Sequence, residues 1–199
     1  LALNASAITR DFVLDAFEVT QAIQNTANQA PLVAGKTTYV RAYGRQISGP
    51  STPNVESRLY GTRGGNPLPG SPLAPINPVR ALSTGGSFDR ARLADGWYFQ
   101  LPDSWISAGA TSLRVVIDPR SIHTDPNTAN NELTVSASFQ SQPPVCVVTL
   151  PVRTHNPLVS TNSPNFGTMV SQFKRRWPVS DAWIFRDGGV VEELQVCFY

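Results

Sequence analysis

The chain has 199 residues, enough for one large domain or for one medium domain and part of a second. Its 41% hydrophobic content sustains a packed core, and a formal charge of only +2 implies no polyanionic partner such as nucleic acid. No apolar run approaches the roughly 18 residues of a membrane-spanning helix, which excludes that kind of insertion. Basic residues number 16, yet the only lysines are Lys36 and Lys174, an arginine bias that a GC-rich genome accounts for.

The N-terminus lacks an initiator Met and reads as a mature end after signal cleavage or as an internal boundary. Asn4-Ala5-Ser6 has the pattern of a glycosylation sequon. Residues 11–23 predict a first strand with both faces partly covered, because Val13, Phe17 and Val19 share one parity and Phe12, Leu14 and Ala16 the other. A polar connector over 24–30 and a turn through Pro31 and Gly35 lead to a second strand over 37–45, and 55–62 predict a third.

Residues 64–86 are rich in Gly and Pro and show little periodicity, which predicts an extended loop with one edge strand around Val79 to Leu82. Such a long loop within a domain is uncommon, so it is either a functional loop or a stretch with structure that the pattern does not reveal. A strand over 96–101 follows, then a single turn over 103–106 that places Trp105 beneath the sheets.

The clearest signal spans residues 111–139. Leu113, Val115 and Ile117 alternate with polar neighbours, and so do Leu133, Val135, Ala137 and Phe139. A loop dense in Pro, Asn and Asp joins the two runs, as in an antiparallel hairpin. Short strands with turn signals between them predict a mainly β fold, an immunoglobulin-like antiparallel β-sandwich over residues 11–140.

After Pro143-Pro144 the pattern changes. Residues 145–152 form a nearly continuous apolar run, as in a strand buried on both faces. Ser163 as N-cap and Pro164 at the first turn open a helix that Pro178 stops, with Phe166, Met169, Val170, Phe173 and Trp177 on one face. Strand-like residues 182–185 and 190–198 flank a Gly188-Gly189 turn. Residues 145–199 therefore read as a small, partial α/β segment in β-α-β order, a fragment of something larger.

No complete catalytic constellation is present. His123 and His155 belong to no zinc-ligand spacing, and G-x-S-x-G is absent. Asp118, Asp125, Asn127, Asn130, Asn131 and Glu132 form one oxygen-rich cluster, a candidate calcium site, although Asn and Asp also cap turns through their own backbone. No other cofactor is called for. Tyr39, Tyr43, Tyr60, Trp97 and Trp105 are aromatics of the kind that stack on sugars or fill a sandwich core. Lys174-Arg175-Arg176 reads as a solvated helix end opposing the helix dipole. A disulfide between Cys146 and Cys197 would close a loop of about 50 residues and contribute about 4 kcal/mol in the chain-entropy account. The alternative is two free thiols.

Asp125-Pro126-Asn127-Thr128-Ala129-Asn130-Asn131-Glu132, leading into Leu133-Thr134-Val135, resembles the turn before the last strand of CARDB-like modules. The stretches 18–24 and 31–41 resemble the N-terminal module upstream of the catalytic domain in some secreted bacterial zinc metallopeptidase-like proteins. The resemblance implies an immunoglobulin-like fold, a secreted, extracellular setting, and residues 145–199 as the start of a truncated hydrolase-like domain, the opening β-α-β of the peptidase-like unit. That family's zinc-binding histidines and catalytic glutamate have no match here, so no functional residue carries over and an activity for this chain stays open. Three readings follow: a non-catalytic spacer or docking module of a secreted protein, an adhesion module for carbohydrate or a cell surface, and a structural subunit that self-associates through strand edges.

Overall fold

The computed structural model describes residues 8–77, 79–149, 152–153, 164–177, 179–182, 184–187 and 191–192. The strands are β1 (Asp11–Thr20), β2 (Leu32–Val33), β3 (Tyr39–Ser48), β4 (Thr52–Arg63), β5 (Asn66–Pro67), β6 (Val79–Leu82), β7 (Trp97–Gln100), β8 (Gly109–Ile117) and β9 (Glu132–Gln140). One sheet has the order β1-β3-β7, and the other runs β2-β9-β8-β4-β5, with β6 on the first half of β4. Pairing is antiparallel except for β2 beside the end of β9. Side chains of both sheets share one core: Phe12, Phe17, Trp97 and Phe99 from the first meet Leu59, Leu113, Ile117 and Phe139 from the second. The chain is mainly β, two antiparallel layers around that core.

The hairpin forms in the predicted phase. Leu113 pairs with Val135 and Val115 with Leu133, and Leu113, Val115 and Ile117 are fully buried. In β1 the two apolar parities serve a single face. Leu14 pairs with Gly44 and Ala16 with Tyr43, so Asp15 is an extra residue in a bulge. Phe12 and Leu14 enter the core before it and Phe17 and Val19 after it. Glu18 is buried on the opposite face, where Arg90 covers it with an ion pair and also reaches the Gln24 carbonyl.

Residues 64–86 do contain the edge strand Val79–Leu82, and the loop before it is built onto β4. Leu59 and Leu73 exchange main-chain hydrogen bonds at 3.1 and 2.8 Å, and Leu68 and Leu73 pack on the core. Trp105, at the end of the predicted turn, is fully buried and donates its indole N–H to the Pro69 carbonyl at 2.8 Å. The loop closes the core under Trp105, a structural task.

Beyond the sandwich come β10 (Cys146–Thr149), β11 (Val152–Arg153), α1 (Pro164–Arg176), β12 (Ile184–Asp187) and β13 (Val191–Glu192). The pairs β10–β12 and β11–β13 are parallel, the β-α-β order expected. β10 is not buried on both faces as its apolar run predicts. Val148 is 54% exposed and Cys146 is exposed, because β12 is its only partner among the described residues. On α1, Met169, Phe173 and Trp177 keep much of their surface in solvent, with the Phe173 and Trp177 rings 6.3 Å apart. No described helix is long and apolar enough to cross a membrane.

Candidate functional site at the junction of the two units

Gly35, between β2 and β3, has φ +69, the left-handed conformation that favours glycine. Its N–H donates to the Ile106 carbonyl and its carbonyl accepts the Asp181 N–H, both at 3.0 Å. The chain thus turns out of the sandwich directly against the segment after α1. Gln21 holds the turn from inside: its Oε1 accepts the Val33 N–H at 2.8 Å, and its Nε2 donates to the Val33 carbonyl at 2.7 Å and to Thr38 Oγ1 at 2.9 Å.

Lys36 is only 2% exposed. Its ammonium donates to the main-chain carbonyl of Lys174 in the last turn of α1 and lies 3.8 Å from Asp181 Oδ1. A cation at the carbonyl end of a helix opposes the helix dipole, and the nearby carboxylate offsets the cost of burying it. Asp181 Oδ2 also accepts both the N–H and the hydroxyl of Thr37, each at 2.8 Å. One turn of the sandwich therefore grips both the end of α1 and the residue leading towards β12.

Beside this contact lies a cavity of about 580 Å³ whose walls come from both units, among them Lys36, Tyr39, Ser171, Lys174, Arg175 and Asp181. Among the described residues neither Lys174 nor Arg175 meets a carboxylate, and the single carboxylate in the wall is shared with Lys36. By its described residues the cavity is electropositive, with one aromatic ring and the hydroxyls of Thr37, Tyr39 and Ser171.

The oxygen-rich loop is built differently. Asp118 accepts the N–H groups of Ile122 and His123 at 3.2 and 3.0 Å, and its Oδ2 lies 3.2 Å from His123 Nδ1. Asp125 accepts the Asn127 N–H at 2.8 Å, the Phe12 N–H at 3.0 Å and the Asn131 amide at 2.9 Å. Asn130 donates to Asp11 at 3.2 Å, and Glu132 pairs with Arg114 at 2.6 Å. Asn127 begins a short 3-10 turn without a side-chain cap. The side-chain oxygens of Asn130 and Asn131 are buried without a donor, but the neighbouring carboxylates are occupied by N–H groups. Among the described residues no three His, Cys, Asp or Glu side chains are grouped to hold a metal ion. The loop is a turn held by its own carboxylates.

Three of the five aromatics considered for sugar stacking are core. Tyr43, Trp97 and Trp105 are fully buried, and Tyr43 stacks on Phe88 at 4.5 Å. Tyr39 is 37% exposed, and Tyr60 lies under the guanidinium of Arg114. Lys174, Arg175 and Arg176 stand in the last turn of α1 as expected. Cys197, His155 and the Asn4 sequon lie outside the described residues. The sequence pass missed Gln21, Thr37 and Asp181. The available signal was the lysine count: both lysines of the chain line this one cavity.

No family model matches the chain, and no curated protein does. Among solved structures it is similar to the CARDB domain of a Pyrococcus furiosus protein determined in solution, at 14% identity over 66% of this chain and 96% of that one, TM-score 0.41. It is similar also to the crystal structure of that domain, in complex with di-metal ions, at 13% identity over 69% of this chain and 94% of that one, TM-score 0.40. The assignment as a mainly β sandwich rests on the strand topology described above.

Proposed function

We propose that residues 11–140 are a non-catalytic positioning module whose 34–38 turn fixes the orientation of the β-α-β segment that follows, residues 145–199. The observation that carries this reading is the double grip on Asp181 and the Lys174 carbonyl by Thr37 and Lys36. Ion pairs on open surfaces contribute little. A buried lysine that meets both a helix end and a carboxylate gives one docking angle instead of a swinging linker. The secreted, extracellular setting and the hydrolase-like nature of the second unit belong to this proposal as well, supported by the family resemblance of residues 18–41 and 125–135.

Hydrogen exchange on the whole chain tests it. In Lys36→Met with Thr37→Val, amides of α1 should exchange at least about tenfold faster while those of β8 and β9 keep their protection. Unchanged exchange in α1 would refute a docking role for the turn.

The adhesion reading loses the three buried aromatics. The self-association reading meets a β1 edge closed by side chains: Asp125 takes the Phe12 N–H, and Asn28 takes the Val19 N–H and the Phe17 carbonyl.

A further inference from the structure

We propose that the cavity between the 34–38 turn and the end of α1 binds a small ligand through an anionic oxygen group: a carboxylate, sulfate or phosphate. The site borders the docking contact and shares Lys36 and Asp181 with it, while the side chains of Lys174 and Arg175 take no part in that contact.

Three observations support it. First, among the described residues the charge in the wall does not cancel: Lys36, Lys174 and Arg175 stand against Asp181. Second, lysine is rare here. Basic residues number 16 and only Lys36 and Lys174 are lysines, yet both reach this cavity from positions far apart in the chain. Each lysine brings a compact ammonium with three rotatable donors. Third, the floor is built. Lys36 is 2% exposed; its ammonium donates to the Lys174 carbonyl and lies 3.8 Å from Asp181 Oδ1, beyond hydrogen-bond distance. Lys174 and Arg175 add donors that no carboxylate occupies among the described residues, and Tyr39 and Ser171 add a ring and a hydroxyl. The volume of about 580 Å³ admits a monosaccharide-sized molecule. An anion at a helix end rich in carbonyls is ordinarily disfavoured. Here Lys36 already occupies the Lys174 carbonyl, which offsets part of that repulsion.

The test is calorimetric titration of the whole chain with sodium sulfate, phosphate, glucuronate and glucose, in chloride of matched ionic strength. Saturable binding of at least one anion, and none of glucose, is expected. The double variant Lys174→Gln with Arg175→Gln should weaken that binding at least about tenfold, since charge-assisted bonds to oxyanions carry most of such affinity. It leaves Lys36, Thr37 and Asp181 untouched, so α1 should keep its hydrogen-exchange protection, and loss of binding is not confused with loss of docking. The order of sulfate, phosphate and glucuronate tells an inorganic oxyanion from an acidic sugar. A response matched by chloride alone, binding of glucose at equal strength, or undiminished binding in the double variant would each overturn the proposal.

Discussion

The side-chain oxygen of Asn28 accepts the main-chain N–H of Val19 at 2.6 Å, and its amide donates to the Phe17 carbonyl at 2.8 Å. One side chain thus substitutes for a neighbouring strand along the outer edge of β1. Asn28 has φ +55, a left-handed conformation that asparagine tolerates better than other side chains. Asn28→Ala should lose both bonds and add backbone strain, about 2–3 kcal/mol in all. Asn28→Asp keeps the acceptor and should lose less. Urea denaturation of the three proteins measures this ranking, and equal midpoints for all would contradict it.

Gly61 lies under the six-membered ring of Trp105, where an added Cβ would stand 2.4 Å from the ring. The indole cannot swing away without breaking its bond to the Pro69 carbonyl. Gly61→Ala should therefore destabilise the sandwich by about 1–3 kcal/mol through overpacking. The expected signature is a lower denaturation midpoint by tryptophan fluorescence with an unchanged slope.

Burial, with the negative charge of Glu18 nearby, pushes the Tyr43 hydroxyl from its ordinary 10.0 up to about 12. A raised value means the folded state favours the neutral phenol. The contribution is complete below pH about 10, where both states are neutral, and is lost as the pH climbs towards about 12 and the unfolded chain ionises first. A difference of two pH units corresponds to about 3 kcal/mol at most. Tyr43→Phe should flatten the decline in stability between these limits. Absorbance titration should show a phenol ionising near pH 12 that Tyr43→Phe removes.

The carboxylates of Asp118 and Asp125 are already engaged with N–H groups, and calcium would have to displace them. Millimolar calcium or EDTA should move the melting temperature by less than about 1 °C, whereas Asp125→Ala should lower it by about 2–4 °C per kcal/mol lost. A calcium-dependent rise of several degrees would establish a cation site in this loop.

Alternation made the sandwich legible. Leu113 to Ile117 and Leu133 to Phe139 carry their burial in the order of their residues, and Trp105 needed only the turn before it. β1 was harder, because its apolar residues change parity and a sequence shows no bulge. β10 misled for a related reason: an apolar run says what could be buried, and a single parallel neighbour leaves Val148 in solvent. The junction was illegible because its parts, Gln21, Lys36, Thr37 and Asp181, are ordinary polar residues spread over most of the chain. Only the fold brings them together, and only the scarcity of lysine hinted at it.

The bulge in β1 also bears on chain length. Asp15 has no partner of its own in β3, and removing it would leave Phe12, Leu14, Phe17 and Val19 in plain alternation with every core side chain still inward. A version of this strand one residue shorter should fold, losing the Arg45 contact at 3.1 Å and some local twist. A deletion at Leu14 or Phe17 would instead remove a core side chain outright. The strand tolerates a change in length at one position, and the hydrophobic pattern alone would not reveal where.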